Sequence, residues 1–311
     1  MYKVAVLLSC YNGEKYIETQ INSILNQEKV QVAIFARDDG STDSTCSILE
    51  KYQKKYPDFY WINNGAVKNI GICNSFFRLL EYACQKKYDY YAFADQDDFW
   101  LPNKIFSAVD LLRESQNSKG ALYYSNKTFV DADLNLISNE DIKVYDDYLE
   151  IIEKCLASGC TMVMNSVFAE YSVHHSPTIH CIHDAWIYRM AKMIQADIYF
   201  DKNSYILYRQ HSRNVCGIQT TKLFDFSSKH IKNAIRKRVG KREHFNQRII
   251  DEIYKQTKND MSNDYKSKTI IVLNYNKNLK NKFKLMFFDG INKRSLSSRI
   301  LWIEKVLFNT I

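Results

Sequence analysis

Along the first 125 residues, short unbroken apolar runs give way in turn to stretches whose apolar residues recur every three or four positions. Residues 3–9 form a near-continuous β-branched and leucine run, the pattern of a strand covered on both faces. Asn12-Gly13 breaks it, and within 14–26 the residues Tyr16, Ile17, Ile21, Ile24 and Leu25 keep helical spacing. A second strand is predicted over 31–37. It ends at the polar turn Asp38-Asp39-Gly40-Ser41-Thr42-Asp43, which offers an N-cap to a helix over 44–54. A strand over 59–63, a helix over 74–85 and a strand over 89–94 follow. Pro102 then suits the first turn of a helix to about 114, and 121–125 reads as another strand. Beyond 125 the pattern loosens toward a mixed sheet, with a helix over 184–195 and an edge strand over 197–208. The alternation predicts an α/β fold with a mainly parallel central sheet flanked by helices.

Composition changes the picture at the C-terminal end. Residues 1–217 carry 22 Lys and Arg against 27 Asp and Glu, whereas 218–311 carry 21 against 8, a net of +13. Basic amphipathic helices are predicted over 227–254 and 297–308, the first with Lys229, Lys232, Arg236, Lys237, Arg238, Lys241 and Arg242 among Ile231, Ile235 and Val239. The chain therefore divides into a body, 1–217, and a basic, mainly helical region, 218–311. That charge suits an anionic leaflet; a solvated basic face packed on the body is the alternative. Nucleic acid would call for aromatic stacking residues or a recognised module, and neither is present. The eight cysteines are scattered without a Cys-x-x-Cys pair and read as small buried hydrophobes in a reducing cytosol. No signal-peptide layout is seen, and no run approaches the ~18–20 apolar residues that span a bilayer.

Candidate chemistry collects where the strands end. Phe93-Ala94-Asp95-Gln96-Asp97-Asp98-Phe99-Trp100 sets three carboxylates in four residues directly after an apolar strand. In an open parallel sheet, ligands bind outside the carboxyl ends of strands. Crowded carboxylates repel one another unless they share a cation, and Mg or Mn, hard ions with oxygen ligands, would also leave positions for a diphosphate. An isolated Asp-x-Asp is ordinarily an acidic turn; the neighbouring turns at Ser9-Cys10-Tyr11-Asn12 and Asp38-Asp39 reverse that reading. A carboxylate in such a crevice can accept from the imide nitrogen of a pyrimidine while Tyr11 packs on the base.

With Ser9-x-Tyr11-Asn12-Gly13, Asp38-Asp39-Gly40-Ser41-Thr42-Asp43, Asn69-x-Gly71 and Asp95-x-Asp97-Asp98 in one order, residues 1–105 closely resemble the nucleotide-sugar-binding half of family 2 glycosyltransferases of the GT-A fold. In 106–217, the acceptor-binding half, Ser158-Gly159-Cys160-Thr161-Met162, His183-Asp184-Ala185-Trp186 and Tyr208-Arg209-Gln210-His211 with Asn214 and Gly217 look like the bacterial rhamnosyltransferase branch, which assembles surface polysaccharides. The resemblance implies that Tyr11 and Asp39 hold the base, with further nucleotide-sugar contacts from Ser9, Asn12, Asp38, Asn69, Gly71, Asn74, Asp95, Gln96 and Arg209. It implies Mn or Mg at Asp95, Asp97, Asp98 and His211, the later aspartates being favoured as direct ligands. It makes Asp184 the catalytic base, where many members carry Glu-Asp and this chain has His183-Asp184. Trp100, Gly159, Cys160, His183 and Trp186 are the expected acceptor contacts. A lone Asp before a helix is otherwise an N-cap, Trp186 could equally be a core residue, and His211 could be satisfied by backbone.

The implied activity is inverting transfer from a nucleotide-diphosphate sugar, dTDP-rhamnose or a UDP-hexose or UDP-N-acetylhexosamine, to a lipid-linked glycan of capsule, O-antigen or cell wall at the cytoplasmic face of the membrane. A non-catalytic sugar-nucleotide-binding protein is the alternative outside the enzyme class. A nucleotidyltransferase would need a glycine-rich basic loop after the first strand, a Rossmann dehydrogenase Gly-x-Gly-x-x-Gly, and a P-loop enzyme Gly-Lys-Ser/Thr; none is present.

Overall fold

The computed structural model describes residues 1–62, 68–153, 155–211 and 245–309. The chain falls into two compact units, Met1–Lys143 with Cys155–Arg213, and Val144–Lys154 with Asn214–Ile311.

In the first unit β1 (Tyr2–Cys10), α1 (Ile17–Leu25), β2 (Val30–Asp38), α2 (Thr45–Lys55), β3 (Phe59–Ile62), α3 (Ile72–Cys84) and β4 (Tyr90–Ala94) alternate strand and helix. β1 pairs in parallel with β2 and β4, and β2 with β3. The continuous apolar run of β1 is explained by burial on both faces. Val4, Val6 and Leu8 join a core with Ile17, Ile21 and Ile24 of α1, while Ala5 and Leu7 are equally buried on the opposite face. Each such side chain contributes roughly 1.5–3 kcal/mol when fully buried. α1 begins later than its apolar spacing predicts, because Tyr16 and Ile17 donate their N–H groups to Gly13 O in a turn.

After β4 come β5 (Phe99–Trp100), α4 (Lys104–Leu112), β6 (Ala121–Val130) and β7 (Leu136–Asn139). Helix α5 (Leu149–Glu153) lies in the second unit, and the chain returns with β8 (Val163–Asn165), α6 (Ser166–His174), α7 (His183–Ile194) and β9 (Asp197–Arg209). Among the described residues the sheet has nine strands in the order β3-β2-β1-β4-β8-β6-β9-β5, with β7 on β6. β8 is antiparallel to β4 and β6, β9 is parallel to β6, and β5 is antiparallel to β9, so the second half is mixed as predicted. β9 is an edge strand along most of its length, as its polarity suggests. The two-residue β5 pairs with Ile206 and Leu207 on its outer side, which brings the end of β9 against the carboxylate segment.

The second unit contains α5, α8 (Phe245–Thr257), α9 (Asn263–Asn274), α10 (Leu279–Met286) and α11 (Leu296–Leu307). Its buried residues include Leu149, Ile152, Ile249, Ile253, Val272, Leu285, Trp302 and Val306. Arg294 binds Asp147 and reaches Glu153 at 3.0 Å, and Tyr148 Oη lies 2.6 Å from Thr269 Oγ1. Residues 144–154 thus belong with the C-terminal helices, although along the sequence they sit inside the body. The basic cluster from Lys229 to Arg242, together with Arg213, Asn214 and Gly217, lies outside the described residues; of the helix expected over 227–254, the part from Phe245 is helical.

Candidate active site

Three turns at the carboxyl ends of β1, β2 and β4 lie side by side because those strands are neighbours in parallel register. Gly40, at φ +91°, lets the β2 turn close. Asp38 caps that turn by accepting from the N–H groups of Gly40 and Ser41, both at 3.0 Å, and from the Ser41 hydroxyl. The turns are then stitched together. Asn12 N–H donates to Ser41 Oγ and Thr42 N–H to Asn12 Oδ1, while Gly13 N–H donates to Thr45 Oγ1, all at 2.8 Å. Gln96 joins the third turn, its amide accepting from Tyr11 N–H at 2.8 Å and donating to Tyr11 O at 2.9 Å. Tyr11 itself stays half exposed and lines the crevice. Asp38, Asn12 and Gln96 therefore shape the crevice.

Asp39 is 4% exposed. Its Oδ1 accepts from Arg37 at 2.6 Å and from Ile70 N–H at 2.8 Å, and its Oδ2 from Gly71 N–H at 2.9 Å. Of the roughly four acceptor positions of a carboxylate, one remains for an imide N–H. Asn69 Oδ1 also accepts from Gly71 N–H, and Asn74 donates to Ile70 O, so both hold the turn that leads into α3. Ser9 Oγ lies 2.7 Å from Ser75 Oγ and ties β1 to α3.

The aspartates after β4 diverge. Asp97 reaches outward, its Oδ2 2.8 Å from His211 Nε2, and both line a cavity of about 650 Å³ with Tyr11, Glu14, Tyr16 and Gln96. Asp95 is pushed up to about 7, first by desolvation and then by the charges of Asp97 and Asp184, with Lys127 acting in the opposite direction. Asp98, expected as a metal ligand, turns into the protein: Oδ1 accepts from Arg209 N–H at 3.2 Å, Oδ2 has no hydrogen-bond partner among the described residues, and burial raises its pKa well above the usual range. Arg209, expected on the nucleotide sugar, is a fastener. Its Nε donates to Asp97 O at 2.9 Å, another nitrogen to Ala132 O, and the guanidinium lies 4.4 Å over the Tyr16 ring.

A carboxylate and an imidazole meeting on a crevice wall, beside a carboxylate whose charge lacks solvent, make a donor set that fits a divalent ion. One ligand atom each from Asp95, Asp98 and Cys160 also lie within 4.8 Å of one another. That group fits Mg or Mn poorly, since burial holds the Cys160 thiol protonated and sulfur is a soft ligand.

Asp184 stands in the first turn of α7, accepts from Ala185 N–H at 2.6 Å and stays partly exposed, close enough to Asp95 to disfavour a second charge there. The residues expected to touch an acceptor do not present themselves. Trp186 is a core side chain whose Nε1 donates to His175 O at 2.9 Å, and Trp100 and Cys160 are buried. His183 is wedged at ring-centroid distances of 4.1 Å from Phe76 and 5.0 Å from Phe93; neither ring nitrogen has a hydrogen-bond partner among the described residues, and burial lowers its pKa to about 4. Gly159 packs against it, so that a Cβ there would meet His183 Nε2 at 2.1 Å.

Two residues near the site escaped the sequence reading. Tyr16 stacks on His211 at 5.4 Å, and its apolar spacing had placed it on a helix face. Lys127, on β6, donates to Ser158 Oγ at 2.6 Å, and no motif marks it.

The crevice lies at parallel strand ends and is lined by Tyr11 and the carboxylate–imidazole pair of Asp97 and His211. Residues 5–172 match the profile of glycosyl transferase family 2, and the chain belongs to that family; it is a nucleotide-sugar glycosyltransferase. The dTDP-rhamnosyl transferase RfbG of Shigella flexneri is 32% identical over 220 residues, 68% of this chain and 73% of the relative. Among solved structures, S. aureus TarS in complex with UDP-GlcNAc superposes with a TM-score of 0.57 at 17% identity, covering 100% of this chain and 84% of that one. The mannosyltransferase PcManGT of Pyrobaculum calidifontis, in complex with GDP-Man and Mn2+, gives 0.50 at 13% identity over 99% and 88%. These likenesses establish the GT-A fold.

Proposed function

We propose that this chain transfers rhamnose from dTDP-rhamnose, with inversion, to a hydroxyl of a lipid-linked glycan in bacterial surface polysaccharide assembly. The donor assignment is supported by the likeness to RfbG. The chemistry rests above all on one observation, the Asp97–His211 pair 2.8 Å apart on the crevice wall. Those two side chains, with Asp95 behind them, would hold Mg or Mn. When bound, the ion supplies a Lewis acid for the departing diphosphate, where negative charge develops. Tyr11 packs on the base, and the remaining acceptor position of Asp39 receives the imide N–H. Asp184 takes the proton of the acceptor hydroxyl as its oxygen bonds to the anomeric carbon, and the broken carbon–oxygen bond leaves its electron pair on dTDP. The lipid-linked acceptor is supported by the net charge of +13 on residues 218–311, which suits peripheral placement at an anionic inner leaflet. No helix among the described residues is long and apolar enough to cross a membrane.

Thermal unfolding with dTDP-rhamnose, UDP-glucose and UDP-N-acetylglucosamine, each with Mn and with chelator, tests the donor. At ~100 times its dissociation constant the true donor stabilises the fold by roughly 2.7 kcal/mol, an effect the chelator removes. A shift with a UDP-sugar alone would overturn the rhamnosyl assignment. Asp184→Asn should keep that shift and lower transfer by about 10²- to 10⁴-fold, whereas undiminished transfer would remove Asp184 from the base role.

A further inference from the structure

The second unit exposes large apolar side chains in a regular arrangement. On α10 and just after it, Leu279, Phe283 and Phe287 follow one another at every fourth position and are 84%, 66% and 60% exposed. Lys280 and Lys284, also exposed, run beside that stripe at the same spacing. On α11 and just after it, Leu296, Ile300, Leu301, Leu307 and Phe308 are exposed, Leu296 and Phe308 by more than 70%. These are not the residues that hold the unit together. The inner sides of the two helices are filled by Leu285, Trp302 and Val306, and Trp302 Nε1 donates to Leu285 O at 2.9 Å. Soluble surfaces scatter single apolar residues, but a run of leucines and phenylalanines along successive helix turns, bordered by lysines, is the pattern of a helix lying in a lipid interface.

We propose that α10 and α11 seat this chain on an anionic phospholipid bilayer, Leu279, Phe283 and Phe287 entering the headgroup–acyl boundary while Lys280 and Lys284 meet lipid phosphates. Charge selects this occupant. Residues 277–309 carry eight Lys and Arg against Asp289 and Glu304; Arg294 is buried in ion pairs, whereas Lys280 and Lys284 are exposed. A second copy on the same stripe would set Lys280 and Lys284 against their own equivalents, a like-charge contact that opposes association. The proposal deepens the lipid-linked acceptor reading above and does not depend on the donor or on Asp184.

Flotation of the full chain with phosphatidylcholine vesicles, with and without phosphatidylglycerol, tests it in the absence of any sugar nucleotide. Binding should require phosphatidylglycerol and weaken with salt without vanishing, since apolar insertion is not screened. Phe283→Ser and Phe287→Ser should each lower partitioning about tenfold at either salt concentration. Lys280→Glu with Lys284→Glu should lower it at low salt alone, by about fivefold or more for each charge removed. Because these positions are exposed, the variants should keep the parent melting temperature. As a measurement that deletes nothing, Leu279→Trp should add emission that shifts to shorter wavelength and is quenched by brominated lipid. The proposal fails if the parent chain does not float with phosphatidylglycerol, if the phenylalanine variants float as well as the parent, or if the tryptophan stays in water. Self-association that Phe283→Ser abolishes, without lipid binding, would assign the stripe to a second copy instead. A loss of flotation with an intact donor-induced thermal shift separates this proposal from the activity above.

Discussion

Lys104 and His183 are ordinarily basic, and burial opposes the charge of both. Lys104 sits in the core with Nζ 3.7 Å from the Trp100 ring centroid and no hydrogen-bond partner; the ring's attraction does not offset desolvation, and its pKa falls to about 7. Because the unfolded chain binds that proton up to the ordinary value near 10.5, stability should rise with pH between about 7 and 10. His183, lowered to about 4 from 6.5, adds the same sign between those values, so acidification through that window should cost stability. Lys104→Met should stabilise the fold by ~1–4 kcal/mol near neutral pH and flatten the alkaline rise. Denaturant titrations across the pH range check this, and an unchanged slope would show that Lys104 keeps its proton. None of this was legible in the sequence, which placed His183 toward the acceptor. The direction in which a first-turn residue faces is decided by Phe76 and Phe93, both distant along the chain.

At the scale of elements, β1 to β4 were legible to within one or two residues, because strands covered on both faces must be apolar throughout and their turns require Asn, Asp and Gly. The short pieces were not. β8 has three residues and β5 two, too few to display a period, yet β8 reverses the direction of pairing in mid-sheet and β5 pairs with the end of β9. The candidate site divided along the same line. Its crevice motifs were legible as turns, whereas the inward aim of Asp98 and the burial of Trp100 and Trp186 depend on the second half of the sheet. Gly159 shows how closely that half is fitted to α7. Gly159→Ala must push the His183 ring against Phe76 and Phe93 and should cost ~1–3 kcal/mol, with a loss of transfer out of proportion to donor binding because Asp184 follows His183. Wild-type turnover in Gly159→Ala would show that the first turn of α7 can move without consequence.

In the whole molecule, the second unit is tied across its two chain segments by Arg294, which pairs with Asp147 and Glu153 while itself buried. Removing one member of such a group leaves charge without compensation, so Arg294→Met should destabilise that unit by ~3–5 kcal/mol. A lower first unfolding transition in calorimetry, with the donor-induced shift of the first unit retained, is the expected reading. A single unchanged transition would count against the pairing as a structural tie.

The detour of Val144–Lys154 has a consequence for how the protein is made. A ribosome releases α5 well before α8, so Leu149, Ile151 and Ile152 emerge while the helix segments that complete their unit are still untranslated. The strands on either side of this segment along the sequence can pair while the segment itself remains sticky. A transcript truncated after residue 217 would leave that stretch exposed for the life of the product, a target for chaperones and proteases, even with every residue of the crevice present.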